Sequence, residues 1–298
     1  RDPVTAAAPT SKPALITAVP TPFLPDGGLD LDGTRTLFTA LAEQPVDGAF
    51  VAGTTGEFTT LDDDERLAVI EVGLEAFGPE RAFVHVGAAH PRQAVRLTAG
   101  AVRAGARKIA AVTPYYFPAP VEATVDYFRQ VVEAAGDAEV YAYLFTARTT
   151  TVLPWEQLPL LAEVGVTGVK ISGESDESVS RYLAAAPEGF VVLSGNDVSF
   201  APFVAAGGAG VISGVSSVFP QPFLRLRDAL AAGDHEAADG YRADIVRAVD
   251  LVRAGSIAHL KAGLELRGLP AGPVSAGVEA APGADRAASA QELERWNS

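Results

Sequence analysis

Lys170 is one of four lysines in the chain, the others being Lys12, Lys108 and Lys261. It stands between Val169 and Ile171, near the end of the apolar run 166–171. Burial in such a run disfavours the ammonium form and lowers the pKa. An amine that is neutral near pH 7 can attack a ketone and form a Schiff base. The competing reading is a strand-end lysine paired with Glu174 or Asp176. The other three invite less: Lys12 lies in an Ala/Pro/Thr-rich stretch, Lys108 opens a strand-like run and Lys261 belongs to a late helical segment.

Four more groups could act beside it. Gly53-Thr54-Thr55-Gly56-Glu57 offers consecutive N–H groups in a tight turn, a nest suited to a carboxylate, with two hydroxyls. Tyr115, Tyr116 and Tyr143 could relay protons, because a phenol both donates and accepts, or could simply be core. Arg148 could clamp a carboxylate or make an ordinary surface ion pair. Ser194-Gly195-Asn196-Asp197 ends another apolar run. Its Asp197 opposes a phosphate site there, and Asn196 and Asp197 could touch a ligand or cap the next helix. His85 and His90 flank the end of one run, where a rim contact is open, but His85, His90, His235 and His259 do not cluster as metal ligands. The acids Asp62–Glu65 read as a helix start.

Composition narrows the chemistry. The 298 residues carry 23 basic and 37 acidic side chains, a net charge of −14. No basic stripe stands out, which speaks against nucleic acid. Cysteine is absent, and with it disulfides, thiolate catalysis and zinc–thiolate or iron–sulfur sites. The default compartment is the cytosol. The uncharged stretch 198–224 holds Pro202, Pro220 and Pro222 with four Gly and four Ser, so it reads as helix, turn, buried strand and turn rather than a membrane span. Residues 1–13 read as a flexible tail without the apolar segment of a signal peptide.

The reactive residues need a frame that gathers them. Short apolar runs at 14–21, 48–53, 82–87, 108–113, 139–145, 166–171, 190–194 and 210–213 each precede an amphipathic segment. Such β-then-α units, with strands apolar on both faces, predict a buried parallel sheet closed as a (β/α)8 TIM barrel. The rival is an open doubly wound sheet. Its dinucleotide-binding form needs G-x-G-x-x-G after the first strand, where Val19-Pro20-Thr21-Pro22-Phe23 stands instead. Helices are expected at 30–42, 62–77, 91–104, 121–135, 155–164, 175–186 and 198–206, then at 221–232, 235–254, 256–267 and 287–296. The division is thus a tail to 13, a barrel over 14–218 and a C-terminal helical region over 219–298. Barrel chemistry gathers at the C-terminal strand ends, where Thr54, Tyr116, Tyr143, Lys170 and Gly195 fall.

Taken together, the residues resemble the dihydrodipicolinate synthase / N-acetylneuraminate lyase family of class I, Schiff-base-forming aldolases. The motifs that carry the resemblance come in order: Gly53-Thr54-Thr55-Gly56-Glu57, Thr113-Pro114-Tyr115-Tyr116, Tyr143 with Arg148-Thr149, Gly168-Val169-Lys170 and Gly210-Val211-Ile212-Ser213. They span about Ala14 to Gly268. The resemblance implies a lyase in which Lys170 forms an imine with pyruvate or a 2-keto-3-deoxy acid, Tyr143 moves protons over it, and Thr54 links Tyr143 to a Tyr116 donated by a neighbouring subunit. It implies a homodimer or homotetramer, keto-acid carboxylate binding by Gly53, Thr54 and Thr55, an acidic partner substrate at Arg148, and pocket lining by Gly195 and Ile212. No metal or organic cofactor is called for.

Three stretches depart from the family. Tyr143-Leu144-Phe145-Thr146 replaces Tyr-Asn-x-Pro, Gly56-Glu57-Phe58 replaces Gly-Glu-Ser, and Ile171-Ser172-Gly173-Glu174 follows the lysine. Phe58 is similar to the ketodeoxyglucarate dehydratase branch. A 5-dehydro-4-deoxyglucarate-type dehydratase is therefore one alternative, and a catalytically silent keto-acid-binding paralogue is another.

Overall fold

A computed structural model describes residues 12–275, 277 and 280–297. Its centre is a closed barrel of parallel strands in sequential order. They are β1 (Ala14–Ala18), β2 (Gly48–Val51), β3 (Ala82–His85), β4 (Lys108–Val112), β5 (Glu139–Leu144), β6 (Gly168–Ile171), β7 (Val191–Ser194) and β8 (Gly210–Ser213). Around it lie α1 (Leu31–Ala42), α2 (Asp63–Phe77), α3 (Pro91–Arg103), α4 (Val121–Ala135), α5 (Thr146–Thr149), α6 (Leu158–Glu163), α7 (Asp176–Ala185), α8 (Phe200–Ala205) and α9 (Val215–Val218). The chain goes on as α10 (Pro220–Ala232), α11 (His235–Leu251), α12 (Ile257–Leu266) and α13 (Gly283–Asn297). This is the expected TIM barrel with added C-terminal helices.

Strand alternation explains why it closes. Ile16, Ala18, Phe50, Phe83, Tyr141, Tyr143, Leu193 and Ile212 share the barrel interior. Their neighbours Leu15, Ala49, Val51, Ala142, Leu144 and Val211 pack outward against the helices. Both faces are buried, as parallel strands require. Helix starts follow the sequence signals. Asp62 and Glu65 form a reciprocal capping box on α2. His90 Nδ1 accepts the Arg92 N–H at 3.1 Å, with Pro91 opening α3. His90 is thus a helix cap and not a rim ligand.

The C-terminal helices are tied to the barrel by charged side chains. On α10, Arg227 donates to Asp47 Oδ2 at 2.7 Å, and that oxygen also accepts the Leu15 N–H at 2.8 Å. On α12, Lys261 Nζ lies 2.7 Å from Glu57 Oε1, with both side chains buried. Glu57 Oε2 in turn accepts the Ser275 N–H at 2.7 Å.

Some expectations shift in detail. The proposed tail at 1–13 lies outside the described residues up to position 11. Beyond it, Lys12 pairs with Asp228 at 2.8 Å and Pro13 is buried. The helix expected over 235–254 stops at Leu251, because Arg253, Ala254 and Gly255 all take left-handed backbone (φ 49°, 55° and 78°). The uncharged stretch 198–224 resolves into α8, β8, α9 and the start of α10. No helix among the described residues is long and apolar enough to cross a membrane.

Candidate active site

The C-terminal ends of the strands surround a cavity of about 510 Å³. Lys170, Tyr143, Thr54, Thr55, Arg148, Gly195 and Ile212 all line it. Lys170 reaches it from β6 and is buried. Tyr143 is its register partner on β5. Lys170 Nζ sits 4.1 Å from the Phe50 ring centre and 4.2 Å from that of Tyr143. Neither Glu174 nor Asp176 pairs with it: Glu174 accepts from Ser178, and Asp176 from Asn196 and Ser199.

The charged neighbour of Lys170 is Asp197, which also lines the cavity. Burial pulls the lysine pKa down to about 7, and the Asp197 charge opposes that shift. Burial pushes the aspartic acid up to about 7, opposed by Ser213 and by Lys170. Burial thus disfavours the charged form of each group, while each charge favours the charged form of the other. One oxygen of Asp197 is buried without a hydrogen-bond partner. Asp197 thus faces the cavity, while Asn196 bonds to Asp176 and Ser199 and stays structural.

Thr54 Oγ1 lies 3.3 Å from the Tyr143 hydroxyl. Burial raises the phenol pKa, and the Thr54 and Ser172 hydroxyls and the Arg148 charge draw it back. Two bonds close the turn that carries Thr54: Glu57 N–H to Thr54 O at 3.0 Å and Phe58 N–H to Gly53 O at 3.3 Å. Neither uses the N–H of Thr54 or Thr55. Gly53 does not line the cavity. A β-carbon there would lie 2.6 Å from the Phe50 ring, so Gly53 makes room for that ring. Gly195 has a similar reason, since its β-carbon would meet Ser172 Oγ at 2.1 Å.

Tyr116 stands apart. Its φ is 79°, its side chain is 79% exposed, and its ring meets Phe117 edge-on at 4.9 Å. Within one chain it does not line the cavity with Thr54 and Tyr143. Tyr115 and Phe58 pack on each other at 5.8 Å, below the site. Phe58 therefore marks the core and not the ligand surface.

Sequence reasoning missed one wall. Arg253, Ala254, Gly255, Ser256 and Ile257 close the cavity from the α11–α12 turn. Arg253 is held there by Asp285 of α13, through contacts of 3.2 and 3.3 Å. Asp285 also meets His259 Nε2 at 2.8 Å. The glycine at 255 was the available signal. His85, for which a rim contact was open, is fully buried, because β3 ends with its side chain pointing into the barrel.

An amine neutralised by burial, a phenol with a hydroxyl partner and an arginine on one cavity can perform imine chemistry on a carboxylate-bearing carbonyl compound. Residues 12–278 match the Dihydrodipicolinate synthetase family. An uncharacterized DapA-like lyase of Halobacterium salinarum is 35% identical over 283 residues, covering 94% of this chain and 92% of its own. 4-Hydroxy-tetrahydrodipicolinate synthase 1 of Streptomyces coelicolor is 36% identical over 272 residues, covering 89% and 87%. Among solved structures, YagE, a prophage protein of the dihydrodipicolinic acid synthase family from E. coli K12 in complex with pyruvate, superposes with a TM-score of 0.87. It is 26% identical, over 96% of this chain and 98% of that one. The N-acetylneuraminate lyase of Proteus mirabilis shares the fold at a TM-score of 0.85 and 22% identity, over 96% and 98%. With the match running through nearly the whole chain and the barrel in common, this protein belongs to the dihydrodipicolinate synthase family and is a lyase of the class I aldolase type.

Proposed function

We propose that the protein condenses or releases pyruvate, or a 2-keto-3-deoxy acid, through an imine on Lys170. The observation that carries this reading is the Lys170 amine, buried between the Phe50 and Tyr143 rings with its pKa drawn down to about 7. The pyruvate in the E. coli relative supports the substrate class.

Neutral Lys170 adds to the C2 carbonyl carbon, and the carbinolamine hydroxyl takes a proton from Tyr143 and leaves as water, which gives a protonated imine. That imine draws electrons from C3, so C3 loses a proton or breaks its bond to C4. Tyr143 takes or returns the C3 proton, with Thr54 as its partner. The Thr54 and Thr55 N–H groups hold the C1 carboxylate, and Arg148 meets the far end of an acidic partner. The relay is completed by Tyr116 of a second copy, since in one chain that side chain points outward beside an exposed Phe117. The functional unit is accordingly at least a dimer.

Dehydration of a keto-deoxy sugar acid on the same imine is the second reading. It is favoured by Asp197, whose buried carboxyl lies beside Lys170 with its pKa raised by burial, so that in its protonated form it could supply the proton to a departing hydroxyl. Borohydride trapping with pyruvate tests the first reading. A reduced adduct on the Lys170 peptide is expected; labelling elsewhere or none would sink it. Product analysis with a keto-deoxy acid separates the two, because an aldolase releases pyruvate and a dehydratase releases water.

A further inference from the structure

His85 lies below the cavity and the mechanism does not use it. It is the last residue of β3 and is completely buried. Its Nε2 accepts the Val112 N–H at 3.1 Å. A backbone amide can only donate, so Nε2 is unprotonated and the neutral ring carries its hydrogen on Nδ1. That N–H donates to Ala52 O at 3.0 Å. Burial and the nearby Arg66 charge keep the ring neutral. Arg66 itself donates to His85 O at 3.0 Å and to Gly87 O at 2.9 Å.

Both partners of the ring sit just where a strand ladder runs out. Ala52 follows β2 and bends into left-handed backbone, φ 54°, immediately before Gly53-Thr54-Thr55. Val112 ends β4, immediately before Thr113-Pro114-Tyr115-Tyr116. The next amide, Thr113 N–H, goes to Tyr143 O on β5, so that of Val112 faces β3, where the backbone has already turned away. One imidazole thus supplies the missing partner to two neighbouring strands. Gly87 is the notch that admits it. A β-carbon there would lie 2.4 Å from Val112 N and 2.7 Å from His85 Nε2. The ring also packs edge-on against Phe58 at 4.5 Å and Tyr143 at 6.2 Å.

We infer that His85, seated in the Gly87 notch, is a positioning residue that fixes the roots of the two loops carrying Thr54–Thr55 and Tyr116, and so sets the geometry of the keto-acid carboxylate nest. This rests on the imine reading above for what the nest binds.

The test is borohydride trapping of pyruvate on the intact enzyme, read as the pyruvate concentration for half-maximal labelling. It is run beside hydrogen exchange of the peptides spanning 52–57 and 112–117. His85→Leu keeps bulk and removes both bonds. It should raise the half-maximal concentration ~10-fold while the plateau at saturation is retained, with faster exchange in those two peptides. His85→Gln carries both a donor and an acceptor, and should recover most of the loss. Gly87→Ala should reproduce the Leu defect with the imidazole still present, which guards against a Leu variant that fails to fold. An unchanged half-maximal concentration in both His85→Leu and Gly87→Ala would overturn the inference. So would uniform loosening of every peptide without rescue by Gln. If the wild type traps no pyruvate, the imine reading falls instead, and the exchange pattern alone decides for or against His85.

Discussion

Lys170 and Tyr143 are register partners on adjacent strands, and the lysine nitrogen lies 4.2 Å from the centre of the tyrosine ring. The barrel therefore brings the proposed nucleophile and the proposed proton carrier together through backbone pairing and not through a loop. Replacing the nucleophile should leave that frame intact. Lys170→Ala is expected to lose turnover by ~10⁴-fold or more and to abolish borohydride labelling, with unchanged circular dichroism. Wild-type turnover in this variant would rule out the imine.

The pH dependence follows from the lysine and its neighbour. Lys170 titrates at about 7 because burial outweighs the attraction of Asp197. Only the neutral amine attacks, so the initial trapping rate should climb through pH 6–8 and level off above. Asp197→Asn removes the anion that favours the ammonium. The Lys170 pKa then falls further, and the rise moves to lower pH. A midpoint moving upward would contradict the assignment of Asp197 as the charge that holds the proton on Lys170.

Tyr143→Phe removes a hydroxyl 3.3 Å from Thr54 Oγ1 and keeps the ring against Lys170. The expected result is a 10²–10⁴-fold lower kcat, the size typical of lost acid–base catalysis, with a smaller change in the pyruvate concentration needed for half-maximal labelling. Steady-state kinetics and trapping on one preparation give both values.

If Tyr116 serves the site of a second copy, defects in different chains should complement. A mixture of Lys170→Ala and Tyr116→Phe, refolded together, should regain activity that neither shows alone. In each mixed pair one site has both an intact lysine and an intact tyrosine. Activity no higher than the sum of the separate variants would confine the relay to one chain.

Lys261→Met should leave the Glu57 carboxylate buried without its cation. Breaking a buried pair from one side costs about 3–5 kcal/mol, whereas replacing both partners costs less. Denaturant unfolding of Lys261→Met, Glu57→Gln and the double variant checks this. The double variant should be more stable than the sum of the single losses would leave it.

The barrel was legible because each strand is a short apolar run and several of the long helices carry a start signal. Asp62-Asp63-Asp64-Glu65 and His90-Pro91 are examples. The four-residue helices α5 and α9 were not legible, since a single turn leaves no periodicity to read. At the site, Lys170, Thr54 and Tyr143 could be found from strand-end position and residue type. That the missing side chain of Gly53 makes room for Phe50 could not be read from sequence, because it needs the packed neighbour. The Arg253–Ile257 wall escaped because it belongs to no β-then-α unit, and because neither Arg253 nor Ala254 is a residue type that announces left-handed backbone. His85 escaped for a different reason: a histidine at a strand end gives no sign of facing inward until the neighbouring strands run out of partners.

Asp285 lies near the far end of the chain, yet it grips the arginine that closes the cavity opposite β5 and β6. Part of the cavity wall is therefore encoded far in sequence from the strands that carry Lys170 and Tyr143. Substitutions in the last segment can reshape what the cavity admits while the strands bearing Lys170 and Tyr143 stay untouched. For an engineer, libraries confined to 253–257 and the first turn of α13 would explore new substrates on a constant reaction.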